Sequence, residues 1–259
     1  MSLAELALHH TVGGVAGPPV LLLHGLGSCA ADWSWQSPVL EPHYRVIAVD
    51  LPGHGASPLP SRDVTIDAMA EAVAALVGGL RVAPAHVVGL SLGACVAVRL
   101  ALQAPARVRS LTLVNAFARL RPGGPAELAR LAHRLWLLGT APMPALAAHV
   151  ARGLFPWPEQ RALYDAAVAS LSATSRRGYA AAMRALARFD ARGQLAAIRQ
   201  PTLVVAGDRD SVVPLGAKLR LAAAIPGARM EVVPGSGHAT PYDRPDAFNR
   251  LLLEFLSAH

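Results

Sequence analysis

Short runs of apolar residues recur along the chain, and turn-forming glycine, proline or small polar residues flank each run. Such runs are typical of strands that are buried on both faces of a parallel sheet. We predict strands at residues 19–23, 45–49, 87–88, 110–114, 202–206 and 230–233. Segments of helical character lie between them, at about 65–79, 92–103, 214–225 and 244–257. This alternation predicts an α/β fold with a doubly wound, mostly parallel sheet.

The alternation stops between residues 116 and 198, where no strand pattern is visible. Apolar residues there follow helical spacing, as in Leu128, Leu131, Leu135 and Leu138, and several prolines divide the stretch into pieces. We therefore predict an inserted helical lid over residues 116–198, after the strand that ends at Val114, which we take as the sixth strand of the core. Residues 1–115 and 199–259 then form the two parts of one core.

Composition fits one large globular domain, since 53% of the 259 residues are hydrophobic and the mean hydropathy is +0.36. No apolar run approaches the roughly 20 residues that span a bilayer, and the first residues lack the basic stretch of a signal peptide. The two cysteines, Cys29 and Cys95, lie far apart and do not indicate a disulfide framework. We expect a cytoplasmic protein that does not insert into membranes.

The net charge of +7 raises the question of a nucleic-acid partner. Arginines are scattered, however, and the longest basic run is Arg176-Arg177. Proteins that bind single strands need basic stretches interleaved with exposed aromatic residues. We expect no nucleic-acid partner. The histidines show no metal-ligand spacing, so we also expect no metal and no cofactor.

The segment Gly89-Leu90-Ser91-Leu92-Gly93 connects an apolar run to a helix rich in small residues. A serine on a tight strand-to-helix turn needs unusual backbone dihedrals, and side chains two residues before and after it would collide with the turn. Glycine at both positions removes that collision. The turn lifts the hydroxyl out of the sheet and directs the first helical N–H groups at the same space. The segment resembles the Gly-x-Ser-x-Gly nucleophile turn of α/β-hydrolases, and this resemblance implies that Ser91 is a nucleophile.

A serine nucleophile needs a base, and the base needs an acid that orients it. His238 follows the last predicted strand directly, in a loop whose glycines let an imidazole reach over the sheet edge. Asp208 and Asp210 both follow the strand at 202–206, so either carboxylate is a candidate acid. Asp is also favoured as a helix N-cap, which gives Asp210 a purely structural alternative.

With the order Ser, Asp, His and these motifs at strand ends, the chain resembles the lid-bearing α/β-hydrolase superfamily from end to end. Within it the chain is most similar to small cytoplasmic carboxylesterases and 3-oxoadipate enol-lactonase-like proteins. The family carries its acid in a Gly-x-x-Asp-x-x-x-Pro pattern, which implies Asp210. Some members place the acid after the sixth strand, but Asn115 stands near that position and cannot be an anion.

The segment His24-Gly25-Leu26-Gly27 resembles the His-Gly-x-Gly element of the same family. The resemblance implies that the backbone N–H groups of Leu26 and Leu92 form an oxyanion hole. We expect His24 and His54 to be structural. Aromatic and apolar residues near the oxyanion loop and in the lid are candidates for the substrate pocket, although each has an alternative as packing: Trp33, Phe117, Trp136, Met143, Phe155 and Trp157.

We therefore expect a serine hydrolase that cleaves a carboxylic ester or lactone of a small, largely apolar substrate through an acyl-enzyme on Ser91. C–C bond hydrolysis of ring-cleavage products and cofactor-free perhydrolase or haloperoxidase activity stay open as alternatives. A hydrolase homologue that binds a ligand with little turnover is the non-enzymatic alternative. The serine argues against haloalkane dehalogenases and epoxide hydrolases, which have a similar fold but use aspartate.

Overall fold

A seven-stranded sheet lies at the centre of the computed structural model, which describes residues 6–61, 63–121 and 124–259. Its strands are β1 (His10–Gly13), β2 (Pro19–Leu23), β3 (Arg45–Val49), β4 (Ala85–Leu90), β5 (Val108–Val114), β6 (Thr202–Gly207) and β7 (Arg229–Val233). They are arranged in the order β1-β3-β2-β4-β5-β6-β7. Only β1 is antiparallel to its neighbour. The predicted α/β class with a doubly wound, mostly parallel sheet is confirmed.

Helices cover both faces of the sheet and also fill the long interval between β5 and β6. They are α1 (Ser37–Leu40), α2 (Ile66–Leu80), α3 (Leu92–Gln103), α4 (Pro125–Thr140), α5 (Met143–Leu154), α6 (Arg161–Ala173), α7 (Arg176–Arg188), α8 (Leu215–Ala224), α9 (Thr240–Asp243) and α10 (Pro245–Ser257). None of these described helices is long and apolar enough to cross a membrane.

Side chains of the strands alternate between two hydrophobic cores. Leu21 and Leu23 of β2 pack with residues of α2 and α3, whereas Leu22 packs on the opposite face with Phe248 of α10. Strands covered on both faces need apolar residues at every position, which is why the pattern of short continuous runs predicts them.

The predicted strands at 19–23 and 45–49 coincide with β2 and β3. The pattern of apolar runs does not predict β1, which is short and exposes Thr11 and Val12 at the edge of the sheet. An edge strand with so little burial has no continuous apolar run to reveal it.

The helices α4 to α7, which we call the lid, lie between β5 and β6. In the described part of the chain β5 is the fifth strand, so the insertion follows the fifth strand and not the sixth as predicted. The lid has a small core of its own around Leu137, Leu146, Leu171 and Tyr179. The lid lies above the carboxyl ends of the strands, because its residues line one cavity together with Ser91 and His238. Ligands bind at this end in sheets of this kind.

Candidate active site

Ser91 occupies a sharp turn between β4 and α3. Its backbone has φ 51° and ψ −103°, a conformation that residues other than glycine rarely adopt. A Cβ at Gly89 would lie 2.5 Å from the carbonyl carbon of Gly93, and a Cβ at Gly93 would lie 2.1 Å from the Leu23 carbonyl oxygen. The two glycines are therefore required by the close approach of β2, β4 and α3.

His238 contacts Asp210 directly. The imidazole Nδ1 lies 2.8 Å from Asp210 Oδ2, and the other carboxylate oxygen accepts hydrogen bonds from the Val212 and Val213 amides at 2.8 and 3.0 Å. Asp210 is not the cap of α8, which begins at Leu215 after Pro214. Of the two candidate acids, the structure brings Asp210 to the imidazole and leaves Asp208 exposed.

The Asp210 carboxylate is almost fully buried, with 1% of its side chain exposed. Burial alone would raise its pKa, but His238 and the Lys218 ammonium hold the pKa well below its usual range. An acid in this position stays ionised while the imidazole gains or loses a proton. That is what is required of a group that orients a base and stabilises its charged form.

Two polar side chains whose role no sequence motif indicates hold the loop that carries His238. The side-chain amide of Asn115 donates to the His238 carbonyl oxygen at 2.7 Å and accepts from the Gly207 amide at 2.9 Å. Asp243 accepts from the Gly237 amide at 2.5 Å. The one local signal for Asn115 is its place at the end of a strand, where it has a φ of 47° that asparagine adopts more readily than most residues.

The loop after β2 reaches the same region as the turn at Ser91. Leu26 lines the space above Ser91, and Leu92 is the first residue of α3, where a helix N–H has no partner within the helix. In the described structure neither the Leu26 nor the Leu92 amide donates to another backbone group. Gly27 has φ 78°, which lets the loop turn beneath the lid.

A cavity of about 1110 Å³ lies between the sheet edge and the lid. Ser91 and His238 are on its floor, and each is 8% exposed. The walls are mostly apolar and come largely from the lid, including Leu131, Leu138, Val150, Leu163, Leu171 and Met183. Arginines also line it, at Arg121, Arg130, Arg134, Arg152 and Arg184, against the two carboxylates Asp32 and Glu127.

A model of the alpha/beta hydrolase fold family matches residues 18–245. The chain belongs to this family.

The family resemblance drawn from the motifs is therefore confirmed. A Variovorax paradoxus protein named "Putative carbamate hydrolase RutD" is 36% identical over 261 residues, covering 96% of each chain. A Pseudomonas putida protein named 2-hydroxy-6-oxononadienedioate/2-hydroxy-6-oxononatrienedioate hydrolase 2 is 32% identical over 281 residues, covering 97% of this chain and 92% of that protein. The structure of the enol-lactonase from Burkholderia xenovorans superposes with a TM-score of 0.88 at 29% identity, covering 96% of each chain.

Two of the six predicted pocket residues line the cavity of this hydrolase. Phe117 follows β5 and packs edge-on against Phe189, with ring centroids 6.4 Å apart. Phe155 follows α5 and is nearly buried. Both lie at the end of a regular element, where the chain turns beside the cavity.

The other four do not line the cavity, and the predictions for them require correction. Trp33 is buried in the core on the α10 side of the sheet, and its neighbour Trp35 lines the cavity instead. Trp136 is 60% exposed and stacks on His133, because Leu131, Leu135 and Leu138 occupy the face of α4 that lines the cavity.

Met143 and Trp157 are displaced for different reasons. Met143 packs against the small core of the lid. Trp157 lies beneath the guanidinium of Arg209, whose central carbon is 5.6 Å from the ring centroid. Neither side chain reaches the wall of the cavity.

His24 supports the loop that carries Leu26. Its Nε2 accepts from the Leu51 amide at 2.9 Å, so Nδ1 carries the proton and donates to the Gly25 carbonyl at 2.7 Å. Burial lowers the pKa of His24 to about 4 and that of His54 to about 3. Both imidazoles are therefore neutral at pH 7, as a structural role requires.

No three His, Cys, Asp or Glu side chains within residues 6–61, 63–121 and 124–259 come close enough together to hold a metal ion. Cys29 and Cys95 are both free thiols.

Proposed function

We propose that the protein is a serine hydrolase that cleaves a carboxylic ester or lactone through an acyl-enzyme on Ser91. The observation that carries this proposal is the hydrogen bond between His238 and Asp210 at the floor of the cavity into which Ser91 is raised. A strained turn, a buried ionised carboxylate and an imidazole at one edge of the sheet are the parts that acyl transfer needs.

In the proposed mechanism His238 removes the proton of Ser91, and the serine oxygen attacks the substrate carbonyl carbon. The oxyanion accepts hydrogen bonds from the Leu26 and Leu92 amides, each worth about 3 kcal/mol in the transition state. His238 then donates its proton to the leaving alcohol. Water activated by His238 attacks the acyl-enzyme and releases the acid, while Asp210 holds the imidazole in one tautomer.

The cavity favours a substrate with an apolar acyl group. The apolar side chains of its lid walls are mostly leucine and alanine, which contribute to binding by burial of apolar surface. The arginines that line it favour a substrate that also bears an anionic group. Similarity to an enol-lactonase structure supports a lactone as one substrate class.

Hydrolysis of a C–C bond or a carbamate is the alternative that the relatives support, since proteins with those names are 32% and 36% identical to this chain. The same serine, base and oxyanion donors would serve a carbamate, whose carbonyl is also attacked. For a C–C bond the leaving group is a carbon that must be protonated. The substrate, not the catalytic groups, separates these reactions.

The test is turnover of p-nitrophenyl esters of graded acyl length, a lactone, a carbamate and a vinylogous diketone by the wild type and by Ser91→Ala. We expect ester or lactone turnover in the wild type and its loss in Ser91→Ala. Ser34→Ala is the matched control, because Ser34 lines the same cavity but does not lie on the turn. Equal rates in wild type and Ser91→Ala would contradict the proposal. Turnover of the carbamate or diketone alone would favour the alternative.

A further inference from the structure

Lys218 is the only lysine in the sequence, since the other 23 of its 24 basic residues are arginines. It lies on α8 and its side chain is fully buried. Lysine is among the residues that are almost never fully buried unless they are paired. A chain that uses arginine at its other 23 Lys or Arg positions thus keeps its single lysine at a fully buried position.

The partner of Lys218 is the acid of the site. Its Nζ lies 2.7 Å from Asp210 Oδ2 and donates to the Gly207 carbonyl oxygen at 3.0 Å. Oδ2 is also the oxygen that His238 Nδ1 contacts at 2.8 Å. One carboxylate oxygen is therefore shared by the ammonium and the imidazole.

This arrangement is costly as a purely structural device. A buried ion pair often stabilises a protein no more than well-packed apolar residues of similar volume. Lys218 also lies near the amino-terminal end of α8, where the helix dipole disfavours a positive charge. Replacing Lys218 alone with an apolar residue would leave the buried Asp210 carboxylate without its ammonium partner, so the charge of the lysine acts on the same group that contacts His238.

We propose that Lys218 is a positioning residue that sets the working pH range of the site, because its charge on Asp210 Oδ2 opposes a second positive charge on His238. Both nitrogens contact the same oxygen, so they lie within the roughly 4–6 Å over which like charges disfavour each other's charged forms. With Lys218 in place, His238 stays available as a base at lower pH than it would beside an unshared carboxylate. This inference rests on the proposed function.

The charged groups around Lys218 are few. Asp210 and Asp208, both on the loop after β6, act on its ammonium, and His238 faces the same carboxylate from the loop after β7. Burial lowers the pKa of Lys218, and the two carboxylates oppose that change. The direct contact with an ionised Asp210 favours the charged form of the lysine.

Lys218→Met tests the proposal, because methionine is similar in length and carries no charge. We expect the acid limb of the pH profile of kcat/KM to move upward by about one pH unit. Arg220→Met is the matched control, since it removes an exposed charge from the same helix and should leave the limb in place. A purely structural lysine would change stability or the plateau rate without moving the limb. An unmoved limb in a folded Lys218→Met protein would overturn the proposal.

A second measurement uses the intact wild type and does not depend on how the variant folds. Labelling with 15N-lysine gives a single side-chain resonance, which belongs to Lys218. We expect the chemical shift of that resonance to change with pH at the same midpoint as the acid limb. This change should be absent in His238→Gln. A resonance that titrates in the same way in both proteins would contradict the proposal.

The two proposals fail separately. Retained turnover in Ser91→Ala would contradict the proposed function. The pH-dependent shift of the Lys218 resonance is measured without substrate. If that shift does not depend on His238, the role of Lys218 is contradicted and the hydrolase mechanism is not.

Discussion

The sheet edge and the lid hold their side chains in different ways. At the sheet edge, Asp210 accepts hydrogen bonds from two backbone amides, an imidazole and an ammonium. A Cβ on Gly89 or Gly93, the glycines around Ser91, would lie less than 3 Å from neighbouring backbone atoms. In the lid, the side chains that line the cavity are held by helix packing, and several arginines there are exposed. In the proposed function, the chemistry thus depends on a network with one geometry, and the substrate specificity depends on the helices of the lid.

This difference predicts that substitutions at the sheet edge change kcat by large factors and that substitutions in the lid change KM by small ones. Asp210→Asn should have the largest effect, about 10,000-fold on kcat, because it favours the wrong tautomer of His238 and leaves Lys218 without its carboxylate. Ester hydrolysis under saturating substrate measures it. Asp208→Asn, on an exposed neighbour, should stay near wild type. A loss of less than tenfold in Asp210→Asn would remove the distinction between the two carboxylates.

Asn115→Ala should lower kcat by about 100-fold with a smaller change in KM. It releases the carbonyl of His238 and leaves the Gly207 amide without its partner, so the imidazole is held less closely over Ser91. Steady-state kinetics on one ester separates the two parameters. An equal change in both parameters, or none, would show that the loop keeps its geometry without Asn115.

Lowering the pH should reduce the free energy of unfolding, because His24 beneath the sheet edge is buried in its neutral form. The pKa of His24 is about 4 in the folded protein and 6.5 in the unfolded chain, so below pH 6.5 the unfolded chain binds the proton and the folded one does not. Stability from this group is complete above pH 6.5 and falls as the pH falls toward 4, by about 2 kcal/mol at pH 5, a roughly 30-fold change in the unfolding equilibrium.

Urea unfolding of the wild type and of His24→Gln at pH 7 and pH 5 measures this contribution. Glutamine does not titrate, so the free energy of unfolding of that variant should depend less on pH. The same pH dependence in both proteins would place the acid sensitivity elsewhere.

Phe155→Ala should have the smallest effect, about a tenfold rise in KM for an ester with a medium-length acyl chain, because it removes apolar contact surface from the cavity. Trp136→Ala is the control, since that side chain lies on the outer face of α4. Its KM should stay within about twofold of wild type. A larger effect for Trp136 than for Phe155 would mean that the lid closes differently on substrate.

The sequence predicts the sheet edge well because its motifs specify backbone conformation. Gly89 and Gly93 indicate the turn at Ser91 without knowledge of what it packs against. The Gly-rich loop before His238 does the same for the proposed base. The strands β2 and β3 follow from continuous apolar runs. These features are local, so a pattern a few residues long contains them.

The roles of Asn115 and Lys218 depend on contacts that no local pattern contains. Asn115 meets the carbonyl of a residue 123 positions later in the chain. Lys218 lies on a helix whose burial against the acid loop decides its partner. The lid is similar, since Leu135 and Trp136 are adjacent in α4 but only Leu135 lines the cavity.

Covalent labelling with a fluorophosphonate, followed by peptide mass spectrometry, tests most directly whether Ser91 is an activated nucleophile. We predict one phosphonyl group per chain on Ser91 in the wild type, slower labelling in His238→Gln and none in Ser91→Ala. Unlabelled wild-type protein, or a label on another residue that persists in Ser91→Ala, would contradict the proposed mechanism.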